Sequence, residues 1–198
     1  MWMHQYEDAE RMTTEALALY PIQPREHDYI RALYLHGSAV LMSGKDSTDA
    51  LTEMEQALAR ARNCELVEEQ LPILVALAEI HRQRQDFRRS RELLDEFWEP
   101  AKQGPYPLSL ADALILMSAI HRAEGETKKA VETALDAYRH SWCDGPPFAY
   151  HAGLTKAKDH LQHLDAAIPY LEQFDESRLA ELQKLPFQLD DLISNLAD

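Results

Sequence analysis

The sequence predicts an all-α protein built as a stack of helical hairpins, and three observations carry that prediction. Leu and Ala dominate the apolar 45% of the chain, while runs of β-branched and aromatic residues are few, a composition of helices rather than sheets. A leucine lies four residues before a small residue in three successive copies, Leu33 with Gly37, Leu74 with Ala78, and Leu114 with Ser118, spaced by 41 and then 40 residues. A second column of small residues, Ala9, Ala50, Ser90 and Ala130, recurs at 41, 40 and 40 and is followed seven residues later by Ala16, Ala57, Phe97 and Ala137. Small side chains at facing positions let two antiparallel helices approach closely while leucines fill the flanking gaps, so each repeat reads as one hairpin.

In chain order, residues 5–20 match only the second helix of a hairpin, so the chain starts mid-unit, as though cut from a longer parent or serving as its own cap. Hairpins follow at 26–63 (helices 26–43 and 46–63), 66–99 (66–84 and 87–99) and 108–141 (108–124 and 127–141). Their internal turns are Ser43-Gly44-Lys45-Asp46, Arg84-Gln85-Asp86-Phe87 and Glu124-Gly125-Glu126-Thr127, where glycine suits the left-handed residue after a helix. Pro21, Pro24, Pro100, Pro105, Pro107, Pro146 and Pro147 fall in the expected connections. Pro72 fits only if its helix starts near Glu69 or kinks there. Tyr150, Leu154, Ala157, Leu161 and Leu164 form an apolar stripe at helical spacing, the signature of a capping helix over 148–164 that closes a repeat domain spanning 1–165. The remaining 166–198 reads as an acidic tail, the least ordered part of the chain, with one short helix from Leu189 to Leu196.

The Leu, Gly/Ala and Ala columns, with Asp86-Phe87 and Gly125-Glu126 at the turns, resemble the tetratricopeptide repeat over about residues 5 to 140. The copies recur at 40 residues, whereas that family's repeat is typically about 34, and its aromatic and proline markers are mostly missing. The longer period resembles the helical-repeat regions of bacterial signalling ATPases and transcription regulators. HEAT-like repeats, at about 40 to 47 residues, are the rival assignment. The resemblance implies a right-handed superhelix of about three and a half hairpins, and a concave wall built from the first helix of each hairpin. Carried onto this chain, that wall comprises Arg31, Tyr34, Leu41 and Met42 from the first full hairpin, Val75, Glu79 and Arg82 from the second, and Asp112, Ile115 and Arg122 from the third. Arg82 and Arg122 occupy the same column one repeat apart, a spacing suited to a carboxylate or an acidic peptide, with Tyr34, Met42 and Ile115 offering apolar contact.

Charge and motifs bound the remaining function classes. Twenty Lys and Arg against 34 Asp and Glu give a net charge of -14, a field that repels phosphate backbones and anionic lipid surfaces. No apolar run reaches the roughly 18 residues of a spanning helix and Met1 to Tyr6 lacks a signal-peptide pattern, so neither membrane nor nucleic acid is expected as a partner and a cytoplasmic location is. Cys64 and Cys143 read as reduced thiols. There is no Gly-rich phosphate loop, no GxSxG and no HExxH, so neither a catalytic residue nor a cofactor is expected.

Three local features stand apart. His81 and His121 repeat three residues after Ala78 and Ser118, which predicts packing in the seam between hairpins rather than metal binding; His140, Cys143 and His151 lack an evident fourth ligand. Arg82, Arg84, Arg88, Arg89 and Arg91 crowd one hairpin turn and are expected to pair with nearby Glu. The segment from Trp142 to His151 sets aromatics around a rigid turn, either to orient the capping helix through Trp142 and Phe148 or as a recognition loop of Trp142, Asp144, Phe148 and Tyr150. The leading expectation is therefore a binding module for a protein or peptide partner, with self-association as a homodimer through the incomplete first unit, or a small-molecule or peptide-signal receptor, as alternatives.

Overall fold

The computed structural model describes residues 6–22, 24–45, 47–143, 145 and 148–171. The expected helix from Leu189 to Leu196, and Asp144 of the recognition loop, lie outside them. Eight helices and no strand occur among the described residues: α1 (Tyr6–Leu19), α2 (Glu26–Met42), α3 (Thr48–Asn63), α4 (Val67–Gln83), α5 (Phe87–Ala101), α6 (Pro107–Ala123), α7 (Thr127–Trp142) and α8 (His151–His163). None of them is long and apolar enough to cross a membrane.

Local chemistry sets the ends. Ser47 and Asp86 cap α3 and α5 by accepting from the backbone N–H groups of Ala50 and Arg89, both at 3.1 Å. Pro107 starts α6, where its missing N–H costs nothing. The helices α3, α4, α6 and α8 end alike, with a left-handed residue (Glu65, Gln85, Gly125, Asp165) and a following N–H that reaches back to a carbonyl in the last turn, as in Asp86 to His81 and Glu126 to His121 at 2.9 Å. Two prolines lie inside helices beyond the first turn. Pro100 is inside the last turn of α5, and Pro72 is in the second turn of α4, which starts at Val67 rather than near Glu69.

Each hairpin crosses at the same register with a different small pair. In α2–α3, a Cβ on Gly37 would sit 2.6 Å from the Ala50 carbonyl oxygen. In α4–α5 the partners are Ala78 and Ser90, whose hydroxyl donates to the Ala78 carbonyl at 2.7 Å. In α6–α7 the roles reverse, and Ser118 donates to the Ala130 carbonyl at 2.8 Å. The apolar faces then merge into a main core from α2 to α6, with Ile30, Met54, Leu74, Leu94, Phe97 and Ile120 fully buried, and a smaller cluster from α6 to α8 around Tyr138, Leu154 and Leu161.

Successive helices pack as neighbours, and the even-numbered ones also pack in a row: α2 on α4, α4 on α6, α6 on α8. Among the described residues no two odd-numbered helices pack against each other. Long side chains span that gap instead, as Arg62 of α3 does in reaching Glu96 of α5. A layer whose members touch lies inside a curve, and a layer whose members are splayed lies outside it, so the even helices form the concave wall.

His81 and His121 occupy equivalent places in successive hairpins. Each is half-buried at the turn of its own hairpin and faces the acid that opens the next helix, Asp86 at 3.5 Å and Glu126 at 2.6 Å. The arginines of the second hairpin pair with acids, Arg82 with Glu79, Arg88 and Arg89 with Glu92, and Arg91 with Glu124.

Candidate functional site: the groove of the even helices

The concave wall encloses an open groove of about 620 Å³, lined by α2, α4, α6 and α8 and by no odd-numbered helix. Because all four even helices run the same way, with their C-terminal ends together, the groove has two chemically distinct ends. Its middle is apolar, formed by Val75, Ala76, Ile115 and Leu116.

At the end nearer the helix N-termini, Asp112 of α6 accepts a 2.9 Å hydrogen bond from the Tyr150 hydroxyl on the segment that leads into α8. The other Asp112 oxygen is buried and has the Lys156 ammonium of α8 at 3.5 Å. Burial pushes the Tyr34 hydroxyl up to about 12, and the Asp112 and Glu69 carboxylates add to the rise. Tyr150 is raised as well, first by burial, then by the charge and hydrogen bond of Asp112. Both phenols are therefore neutral donors at physiological pH.

The other end holds both arginines of the groove, with the acids Glu79 and Asp159 beside them. Arg82, in the last turn of α4, forks onto Glu79 at 2.7 and 2.8 Å, and that pairing raises its already high proton affinity. Arg122, one repeat along on α6, is exposed and forms no ion pair among the described residues. His160 and His163 of α8 complete this end. Burial holds the His160 imidazolium below the usual histidine range, and the positive charges of Arg122, Arg82 and His163 lower it further. In total the groove lining carries three acids (Glu79, Asp112, Asp159) and three bases (Arg82, Arg122, Lys156), a balance set against a chain of net charge -14.

Of the sequence-predicted wall, Tyr34, Met42, Val75, Glu79, Arg82, Asp112, Ile115 and Arg122 line the groove. Leu41 and Arg31 do not. Leu41 packs toward the main core, and Arg31 bonds to Glu69, a buried carboxylate that also has His27 at 2.9 Å. The segment after α7 divides similarly. Trp142 ends α7 against the smaller core, Tyr150 ties α8 to α6, and Phe148 is half-exposed. The contributions of α8 were missed in the sequence. Its register carries the signal, because Asp159 lies 40 residues after Ala119, which lies 40 after Glu79, so the repeat column continues into α8.

Ligand-like clusters elsewhere are already neutralised from within. His27, Glu68 and Glu69 come together beside Arg31, and His121, Glu124 and Glu126 beside Arg91 and Lys129. His140, Cys143 and His151 form no such group among the described residues. No family model, curated protein or solved structure matches the chain.

Proposed function

We propose that the chain is a protein-interaction module whose concave groove holds an acidic segment of a protein or peptide partner. The observation that carries this reading is the even-helix groove itself, a concavity with an apolar middle, two arginines at one end and a charge-balanced lining on an otherwise strongly acidic molecule. An acidic segment meets repulsion over most of this surface and far less at Arg82 and Arg122. Its apolar side chains would cover Val75 and Ile115. In this reading the molecule works by holding its partner and performs no chemistry, and it is a long-period relative of tetratricopeptide repeats acting as a scaffold or sensor in the cytoplasm of a bacterial cell.

The test is fluorescence polarisation with a panel of labelled peptides, each bearing one apolar residue between acidic, neutral or basic neighbours. Acidic members are expected to bind, and Arg82→Glu with Arg122→Glu to abolish that binding while helicity is unchanged. Equal binding of acidic and basic peptides, or no effect of the double charge reversal, would contradict the reading.

A second reading, self-association, is favoured by α1. Met12 and Leu19 of α1 and Ile22 just after it are exposed, and Ala16 is open where its counterparts Ala57, Phe97 and Ala137 are fully buried. Light scattering across a concentration series decides it, since a monomer at the highest concentration removes the idea.

A further inference from the structure

His160 sits at the end of the groove that holds both of its arginines, and its hydrogen bonding fixes how it meets a ligand. The Ser118 hydroxyl hydrogen is committed to the Ala130 carbonyl at 2.8 Å. Toward His160 Nδ1, 3.4 Å away, Ser118 Oγ therefore acts only as an acceptor, and Nδ1 carries the hydrogen. That leaves Nε2 as the site that gains and loses a proton. The charged groups around the ring are Arg82 and Glu79 from α4, Arg122 from α6, and Lys156, Asp159 and His163 on its own helix. Glu79 is engaged by Arg82, and Lys156 leans on Asp112; burial first, and then the charges of Arg122, Arg82 and His163, which outweigh the nearby Asp159, lower the ring's proton affinity.

An anion entering this corner changes that balance. It places a negative charge among the two guanidinium groups, offsets their repulsion of an imidazolium, and offers an acceptor to a protonated Nε2. We propose that the α4–α6–α8 end of the groove is a carboxylate subsite in which Arg82, Arg122 and His160 act together, and that His160 takes up a proton as the carboxylate binds. The inference rests on the groove reading for its biological ligand but not for its test. Binding is tighter below neutral pH, because the bound state holds one proton more than the free state. Two bases of this subsite, Arg82 and Arg122, repeat in sequence, whereas His160 comes from the capping helix, so the proton coupling is confined to the closed end of the stack.

The experiment uses the whole chain and glutarate as the probe, followed by NMR of the histidine ring nitrogens. In the free protein His160 is expected to titrate below the ordinary histidine range. Glutarate is expected to raise its midpoint, and the glutarate Kd to tighten by about threefold or more from pH 7.5 to 5.5, within the tenfold per pH unit that one linked proton allows. His160→Gln should leave weaker binding that varies over this range only as far as glutarate's own protonation requires. Arg122→Gln, at an exposed position that the fold tolerates, should weaken glutarate and raise the free midpoint of His160. A His160 midpoint that glutarate does not move overturns the proposal, as does an equal pH dependence in His160→Gln. Shifts spread over surface arginines without His160 mean an adventitious ion only and overturn it as well. None of these outcomes decides the peptide panel above, where a groove can hold a segment through its apolar middle alone.

Discussion

The Tyr150 hydroxyl donates to Asp112 at 2.9 Å across 38 positions of sequence, and this bond holds the last helix of the stack against the third hairpin. The residue that precedes α8 thus shares a carboxylate with the wall of the groove, so docking of the cap and shape of the groove are coupled. Tyr150→Phe keeps the ring in place and removes the donor, leaving a partly buried carboxylate with Lys156 alone. A loss of about 1 to 2 kcal/mol is expected, read as a lower denaturation midpoint, with faster amide exchange confined to α8.

The crossing at Gly37 leaves no space for a side chain. A Cβ there would lie 2.6 Å from both the Ala50 carbonyl oxygen and Met54 Cγ, and the carbonyl belongs to the facing backbone. Gly37→Ala is expected to destabilise the protein by about 1 to 3 kcal/mol in chemical denaturation, although the next copies of that position hold Ala78 and Ser118.

At the turn of the second hairpin the residue in the left-handed conformation is Gln85, at φ 61, where the third hairpin has Gly125 at φ 78. Gln85→Gly is expected to stabilise by up to about 1 kcal/mol and Gly125→Ala to destabilise by a similar amount. Opposite signs in thermal melts check the pair.

Acid should weaken the junction of α1 with the first full hairpin. The Tyr20 hydroxyl and the Arg60 guanidinium both donate to Glu26 at 2.6 Å, and these bonds, Tyr20 first, hold its carboxyl below the usual range. A lowered carboxylate stabilises the fold above its unfolded value of about 4.5, and that contribution is lost as pH falls through the lower, folded value. Glu26→Gln is therefore expected to flatten the fall in stability below about pH 4.5 and to cost stability at neutral pH, measured as denaturation midpoints against pH.

How much of this was legible in the sequence follows from which forces act locally. The hairpins were written in the leucine and small-residue columns and in Gly44 and Gly125, because close crossing and left-handed turns each demand a residue type at a fixed place. The wall from Tyr34 to Arg122 was what the repeat resemblance carried by those columns implied. Leu41 and Arg31 could not be placed by column alone, because one turns toward the core and the other is drawn out to a buried Glu69 on the neighbouring helix. His160 carries no motif, and its setting depends on Ser118, Arg122 and Arg82, which only the stacking of three helices assembles.

The claim that the even helices form the recognition wall is tested most directly by a photo-crosslinking amino acid placed singly at Val75 or Ile115 in the groove, and at Glu55, Asp95 or Glu132 on exposed positions of the odd helices. In cells, the groove positions are expected to give one shared adduct that Arg122→Glu removes, with none from the odd helices. Adducts of equal yield from the odd helices, or groove adducts indifferent to Arg122→Glu, would contradict it.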